Sequence, residues 1–570
     1  MLYSGAGLLI SPIPSMRRAF PADSNRIPAY MVIFDSSYDE IQFRPLQSGK
    51  ARYTFPEDWN SMVHTPVLAR ITAAVSGITL LMTLGACSSP QPSSSNPTNA
   101  STSADAGSVT LFTPADGITI SQRTPLNKWA KLVPQITSDL KKQGVEKQNI
   151  DTVVSSDLDE QSQQLQDWVV KHVTNLKDGS SAAKHSTLIV APAPQTNVSS
   201  RQYGDYVTQP IVKDAQDSER HEAESRMRSA LQLARKSGMH IVLVSNTIDG
   251  FTPDAFVQCS TPEQIGELQA NMLVSKLDLD KVSKGNPKAV EVLLPYTHAD
   301  DAKESDTAEI NDAFAKEAFQ GVWKVLRPYY EQGKVYSPSG TLSRETTNED
   351  WTHVAFDLNE KDGTAKTIED RIPTVTKDGD SVPTKIDGII AMNDAVASSV
   401  VSKLASMGYT GSSADINPSI TIPSIVGNIA GHKDLLRKSV PDPAKSPAND
   451  TQSQHDDSSA NSSSTQNDHN SRWPVITGYG SYADTIPQVV NGKQWMTGLE
   501  DRGKLSMDIA KTCIRLNREK GLDGLSFIAK QTIAGVTVPT VHEELNAVSA
   551  GNLKTTLIDT GYITMAEAGL

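Results

Sequence analysis

Residues 221–245 read HEAESRMRSALQLARKSGMHIVLVS and contain one complete helix-to-strand unit. The part up to residue 236 is typical of a helix. Residues 239–245 form a short apolar run rich in isoleucine and valine, which is typical of a buried strand. A helix that leads directly into such a strand indicates an α/β fold with parallel sheets.

The same alternation of helical and strand-like stretches continues on both sides of this unit. Apolar side chains recur at helical spacing over residues 165–176, where we interpret His172 as a packing residue. Residues 289–295 begin a predicted second sheet. Residues 442–472 are rich in Ser, Asn, Asp and His without apolar periodicity, so we predict a disordered surface insertion. The remaining predicted strands are 117–122, 186–191, 387–392 and 474–478.

Composition excludes several function classes. The chain has 570 residues, of which 38% are hydrophobic and 21% charged, so it can build more than one core. A formal net charge of -13 argues against binding to a phosphate backbone, and we expect no nucleic-acid partner. The three cysteines, Cys87, Cys259 and Cys513, are too few for a disulfide framework or a cysteine-rich metal site. We predict no metal site and no cofactor, since His455 and His469 in the polar insertion are most simply solvated.

The N-terminal region contains the layout of a secretory signal. Arg70 precedes the apolar run 71–84, which is shorter than the ~20 residues that a transmembrane helix needs. The sequence Leu-Gly-Ala-Cys at 84–87 resembles the lipobox of bacterial lipoproteins and implies a lipid on Cys87. An ordinary membrane anchor or a buried helix is the alternative interpretation.

These features divide the first 106 residues into three predicted parts. Residues 1–61 are a non-native extension, because we expect translation to begin at Met62. Residues 62–86 are the signal peptide of a lipoprotein. Residues 87–106 are a Ser/Pro/Asn/Ala tether with nothing to bury. We therefore expect an extracytoplasmic protein held at the cell membrane by its lipid alone.

From about Gly117 onward the chain resembles the sugar-binding proteins of ABC importers of the xylose-binding or multiple-monosaccharide type. The segments that carry the resemblance are 256–277, 391–409, 475–505 and 538–562. The resemblance implies the type 1 periplasmic-binding-protein fold, in which two lobes, each a parallel sheet flanked by helices, are joined by three hinge crossovers. The implied limits are 107–255 plus 500–538 for the first lobe and 256–499 plus 539–570 for the second.

The resemblance also implies a ligand site at the strand ends of both lobes. Lys128 and Trp129 occupy the place of the family's charged and aromatic pair, with Arg123 close by. Asn393-Asp394 is the best retained pair, although an Asx turn that caps the next helix is its alternative role. For Trp129, and for the Trp351 discussed next, core packing is the alternative to ligand stacking. The other implied ligand residues are Asn311, Asp312 and Trp351.

Three positions depart from the family pattern. Asn246-Thr247 replaces a charged pair, and Glu500 replaces a lysine of the return crossing. Tyr479-Gly480 replaces Gln-Asp, unless Asp484 substitutes from an inserted turn. A polar pocket discriminates steeply, because unpaired buried groups are costly. The ligand is therefore predicted to differ from the usual pentose or hexose, or binding is altered or lost; Tyr479 and Tyr482 would suit stacking on a larger saccharide.

Other functions fit the sequence less well. The chain carries no Gly-x-Ser-x-Gly elbow, phosphate loop or His-Glu-x-x-His motif, so we do not expect an enzyme. The predicted partners are a saccharide and the permease subunits of an ABC transporter, with the protein itself a monomer. A receptor module that presents a bound sugar to a membrane sensor is the alternative.

Overall fold

The computed structural model describes residues 106–116, 125–175, 183–194, 198–210, 218–297, 305–377, 380–414, 471–533 and 535–570. All of these belong to one compact unit, Pro97–Leu570. Cys87, Arg123, the predicted strand 117–122 and nearly all of the predicted insertion 442–472 lie outside the described residues.

The described elements alternate between strand and helix along most of the chain. The strands are β1 (Ser108–Pro114), β2 (Ile150–Ser155), β3 (Ser186–Val190), β4 (His240–Val244), β5 (Ala255–Gln258), β6 (Lys288–Val292), β7 (Leu294–Tyr296), β8 (Val335–Tyr336), β9 (Ala355–Asp357), β10 (Val375–Lys377), β11 (Asp380–Val382), β12 (Gly388–Ile390), β13 (Val475–Tyr479), β14 (Met496–Glu500), β15 (Ile528–Ile533), β16 (Val536–His542) and β17 (Leu545–Ser549). The helices are α1 (Trp129–Lys142), α2 (Leu158–Asn175), α3 (Val198–Arg201), α4 (Ser218–Lys236), α5 (Pro262–Lys276), α6 (Ser305–Glu331), α7 (Gly363–Arg371), α8 (Asp394–Ser406), α9 (Ile486–Val490) and α10 (Arg502–Asn517).

The first lobe is built on a seven-stranded sheet with the order β15-β16-β5-β4-β3-β1-β2. All neighbours are parallel except the edge pair β15 and β16, which is antiparallel. Helices α1 and α10 pack together, and so do α2 and α4. The sheet is buried on both faces because two apolar clusters flank it, which explains why its central strands are continuous apolar runs. Cys259 and Cys513 are buried free thiols in one of these clusters.

The second lobe is built on a six-stranded sheet with the order β17-β14-β13-β12-β6-β8. Its strands are parallel except for β17, which is antiparallel to β14. Helices α5 and α6 belong to the apolar cluster on one face, and α7 and α8 to the cluster on the other. Asn393 begins α8 because its side chain accepts a hydrogen bond from the backbone of Val396, as expected of an N-cap.

The chain passes between the two sheets three times. The crossings lie between Gln258 and Pro262, between Glu500 and Arg502, and between His542 and Leu545. The predicted α/β fold of two lobes joined by three crossovers is confirmed. The predicted first and third limits, at 255/256 and 538/539, would cut β5 and β16, which pair with each other in the first sheet. The chain therefore leaves that sheet a few residues later than predicted, after each ladder is complete.

Among the described residues, no helix combines the length and the apolar character that crossing a membrane requires.

Candidate ligand cleft

The carboxyl ends of the parallel strands of both sheets face one gap between the lobes. Backbone contact across this gap is direct, since the amide of Leu126 donates to the carbonyl of Gly480 at 2.9 Å. At the next residue, the amide side chain of Asn127 donates to the Tyr479 hydroxyl at 3.3 Å. In open α/β sheets this edge is where ligands bind. We call this gap the cleft.

Two matching turns present an asparagine to the cleft, one from each lobe. After β4, Ser245 has a φ of 65°, and the amide of Asn246 donates to the carbonyl of Val244 at 2.7 Å. After β12, Met392 has a φ of 62°, and the amide of Asn393 donates to the carbonyl of Ala391 at 2.7 Å. A three-residue turn with positive φ at its centre is rare and strained for a residue other than glycine.

The cleft is occupied by residues 198–210, which we call the cleft segment. The segment leaves the first lobe after β3, and two of its tyrosines are fully buried. Tyr203 belongs to the apolar cluster of the second lobe, whereas Tyr206 belongs to a cluster of the first. Burial raises the pKa of both phenols, so both remain neutral. The segment thus contributes one buried aromatic ring to each lobe.

The N-terminal half of the cleft segment contacts the second lobe. The side chain of Asn393 donates to the amide oxygen of Gln202 at 2.9 Å, and the Tyr482 hydroxyl donates to the Gln202 carbonyl at 2.8 Å. The Tyr203 ring lies 5.2 Å from the ring of Phe314 and 6.4 Å from that of Tyr479, measured between centroids.

The polar contacts of the C-terminal half are with the first lobe, whereas Val207 packs in the apolar cluster of the second lobe. The Asp205 carboxylate forms an ion pair with Lys128 at 3.2 Å. The backbone carbonyl of Asp205 accepts a hydrogen bond from the indole of Trp129 at 3.2 Å. The Tyr206 hydroxyl donates to the side-chain oxygen of Asn127 at 3.1 Å. Further along, the backbone amide of Gln209 donates to the side-chain oxygen of Asn246 at 3.0 Å.

Five of the residues predicted to bind ligand therefore contact the cleft segment. They come from both lobes and comprise Lys128, Trp129, Asn246, Asn393 and Tyr479. Trp129 is also buried, with its ring 5.4 Å from that of Tyr206 in an edge-to-face arrangement. Packing and cleft contact are thus combined in the same side chain.

Three other predicted residues form a separate group at one side of the second lobe. Asn311 donates to the carbonyl of Thr297 at 3.3 Å, and Asp312 accepts from the Tyr296 hydroxyl at 2.6 Å. The ring of Trp351 lies 5.3 Å from that of Tyr296. Asn311 and Asp312 lie within α6, which begins at Ser305.

Asp394 is enclosed within the second lobe. Its carboxylate accepts hydrogen bonds from Gln494 at 2.6 Å, from Thr497 at 2.8 Å and from the backbone of Tyr482 at 3.1 Å. Burial raises the pKa of Asp394 to about 6, against the lowering effect of these donors. The carboxylate fixes the strand ends around Tyr482, and it acts on the cleft through that residue.

Glu500 lies at the second crossing and joins it to the first. Its carboxylate accepts from both the backbone amide and the hydroxyl of Ser260, each at 3.2 Å. Burial raises the pKa of Glu500 to about 7, with Glu543 and Asp501 adding repulsion.

Comparison with known proteins gives similarity at the level of solved structures. No family model and no curated protein matches this chain. An ABC transporter solute-binding protein from Clostridium phytofermentans with bound β-D-glucose is 16% identical with a TM-score of 0.44, covering 80% of this chain and 99% of that one. A carbohydrate transporter solute-binding protein from Chloroflexus aurantiacus in complex with D-glucose has the same identity and TM-score, covering 80% of this chain and 97% of that one. A periplasmic ribose ABC transporter from Conexibacter woesei is 11% identical with a TM-score of 0.40, covering 80% and 95%.

Sequence reasoning missed the cleft segment, and it gave no ligand role to Asn127 or Tyr562. The Tyr562 hydroxyl donates to the Asn127 side chain at 2.8 Å, so Asn127 joins tyrosines from several parts of the chain. One feature of the sequence could have revealed the segment. Strand β3 ends at Val190 and the next long helix, α4, begins at Ser218, which is a far longer connection than the ~2–6 residues usual in α/β units.

Proposed function

We propose that this protein is an extracytoplasmic binding protein that captures a saccharide in the cleft and delivers it to the permease of an ABC transporter. The observation that carries the proposal is the pair of matching turns at Ser245 and Met392. Backbone strain of this kind persists where surrounding structure enforces it, and it concentrates at ligand clamps. Here the two turns place the side-chain amides of Asn246 and Asn393, one from each lobe, at the cleft.

The chemistry of the cleft suits a hydroxyl-rich solute. The Asn393 side-chain oxygen caps α8, so its NH2 group can donate to a solute hydroxyl. The Asn246 NH2 group donates to the carbonyl of Pro192, so its side-chain oxygen can accept from a solute hydroxyl. The Ser245 hydroxyl is buried without a hydrogen-bond partner among the described residues, which favours a polar guest. Tyrosine rings supply faces for the C–H surfaces of a sugar. Contacts from two hinged lobes would favour the closed form when the solute is bound.

Thermal-shift screening of mono- and oligosaccharides tests this function directly. The full chain carrying Cys87→Ser would be used, so that no lipid is added. A ligand at about 100 times its Kd stabilises the native state by ~2.7 kcal/mol, which gives a rise of a few degrees in Tm. Asn393→Ala should abolish the rise, whereas substitution of the exposed Lys361 should preserve it. A panel without any Tm rise would contradict the proposal.

Membrane attachment through Cys87 is part of the same proposal. The lipobox and the tether that follows it support an anchor that leaves the lobes free outside the membrane. Radiolabelled palmitate should be incorporated into the wild-type chain and not into a Cys87→Ser variant. Equal incorporation into both chains, or into neither, would refute the anchor while leaving the cleft untouched.

A further inference from the structure

We propose that the cleft segment is an intramolecular occupant that holds the two lobes closed and must leave the cleft before a solute can enter. This inference rests on the proposed binding function, because it names the cleft as the site for which segment and solute compete. It adds a built-in inhibitor to that function.

The cleft segment contacts both lobes at once. Gln202 and Tyr203 bind the second lobe, whereas Asp205 and Tyr206 bind the first. A group that contacts both halves of a hinged protein stabilises the closed form over the open one. The segment therefore does to this chain what a bound solute is expected to do.

The polar contacts of the segment are of a kind that a solute can also make. Between described residues, its polar side chains contact the cleft through neutral hydrogen bonds and the ion pair of Lys128 with Asp205, and the buried rings of Tyr203 and Tyr206 add apolar contacts. Each neutral bond contributes only ~1 kcal/mol net, and a solute hydroxyl can make the same bond to Asn246 or Asn393. A solute that competes with the segment must therefore replace these hydrogen bonds and also the aromatic contacts, for which the ring faces of a sugar are suited.

One glycine permits the position of the cleft segment between the lobes. Gly204 lies between the two buried tyrosines with a φ of 138°, which other residues rarely adopt. A Cβ at this position would lie 2.8 Å from the Cβ of Asn127 and 3.2 Å from its carbonyl oxygen. Gly204→Ala should therefore expel the segment from the cleft, and the change is confined to the segment itself.

Hydrogen exchange on the full chain carrying Cys87→Ser tests the inference, with mass spectrometry following peptides from residues 198–210. Gly204→Ala should raise exchange in these peptides at least tenfold, leave strands β3 and β12 protected, and increase the radius of gyration in X-ray scattering. The matched control is Gly340→Ala, which also places alanine at a positive φ of 75° but has no neighbour within 4 Å. The control should leave exchange in 198–210 unchanged.

Unchanged exchange in 198–210 and an unchanged radius in Gly204→Ala would overturn the inference. If that variant loses protection throughout, Gln202→Ala replaces it, since it removes only the side-chain bond to Asn393. Gln202→Ala should then raise exchange in 198–210 alone, and no rise would overturn the inference.

A saccharide found in the thermal-shift screen gives the second arm. It should raise exchange in 198–210 of the wild-type protein and bind Gly204→Ala about tenfold more tightly. Stronger protection of 198–210 with sugar bound would identify the segment as a fixed wall and overturn the inference. If no saccharide binds either chain while Gly204→Ala still opens, the proposed function fails and the intramolecular occupant stands.

Discussion

Glu500 is a fully buried carboxyl group placed where the chain returns from the second lobe to the first. Its hydrogen bonds from Ser260 tie two of the three crossings together. Burial nevertheless outweighs these bonds and raises the pKa of Glu500 to about 7, well above the ordinary value of 4.5. The folded state therefore holds the proton more tightly than the unfolded chain does. The stability that this provides is complete below about pH 4.5 and is lost as the pH rises through 7.

Glu500→Gln should become more stable relative to wild type as the pH rises. Glutamine keeps an oxygen that can accept from Ser260 but never carries a charge. A pKa difference between about 7 and 4.5 corresponds to about 3 kcal/mol, so we expect a relative gain approaching that size at pH 8 and little gain at pH 4.5. Urea unfolding at the two pH values measures it.

The matched control is Glu544→Gln, on the third crossing, where the side chain is exposed. Its effect on the free energy of unfolding should be within about 0.5 kcal/mol at both pH values. A relative stability of Glu500→Gln that is the same at pH 4.5 and pH 8 would show that Glu500 does not titrate in this range.

At the scale of elements, helices α5 and α6 approach each other through a pair of glycines. A Cβ on Gly321 would lie 1.9 Å from the carbonyl oxygen of Glu263, and one on Gly266 would lie 2.2 Å from that of Ala318. These contacts are with backbone atoms, which cannot rotate away as a side chain could. Close packing of this pair holds α5 against the second sheet directly after the first crossing.

Gly321→Ala should destabilise the protein although alanine is the better helix former. Helix propensity favours alanine by ~1 kcal/mol, whereas overpacking that separates two helices costs up to ~3 kcal/mol. We therefore expect a net loss of about 2 kcal/mol in urea unfolding. Gly521→Ala is the control, since its Cβ would have no neighbour within 4 Å, and it should be near neutral. A neutral or stabilising Gly321→Ala would mean that the helices separate at little cost.

The elements that could be predicted from the sequence are those whose pattern is local. The run at 239–245 became β4 (His240–Val244), and the run at 186–191 became β3 (Ser186–Val190), because a strand buried on both faces requires continuous apolar side chains. The cap on α8 was also predictable, because an Asn-Asp pair before an apolar helix is a local signal.

The occupant of the cleft could not be predicted in this way. Tyr203 and Tyr206 are three residues apart, yet their rings belong to the cores of different lobes. That division depends on Phe314 and Trp129, which lie far away in the sequence. Five of the predicted ligand residues lie against the cleft segment, whereas Asn311, Asp312 and Trp351 form a separate group, and the segment that the five contact had no local pattern.

At the scale of the whole molecule, the three crossings are joined by side chains rather than by chain alone. Glu500 connects the first and second crossings through Ser260. Lys504, in the first turn of α10, forms an ion pair with Glu543 of the third crossing. The Glu543 side chain is only 1% exposed, whereas that of Lys504 is 54% exposed. The hinge region therefore contains a buried acid whose charge is balanced by one half-exposed lysine.

Lys504→Ala should destabilise the protein in a pH-dependent manner. Burial raises the pKa of Glu543, repulsion by Asp508 adds to this, and Lys504 opposes both. The pKa of Glu543 is about 7 beside the lysine and rises further without it. Both proteins hold this carboxyl protonated at pH 5, so their free energies of unfolding differ little there, and the penalty of Lys504→Ala grows as the pH rises through 7. Breaking a fully buried ion pair costs ~3–5 kcal/mol, and the exposure of Lys504 reduces this to about 2 kcal/mol at pH 8.

Lys131→Ala is the control, because its ion pair with Glu567 is exposed on both sides and should contribute less than 1 kcal/mol at either pH. Urea unfolding at pH 5 and pH 8 separates the two variants, and an equal loss for Lys504→Ala at both pH values would exclude Glu543 as the group that the lysine stabilises.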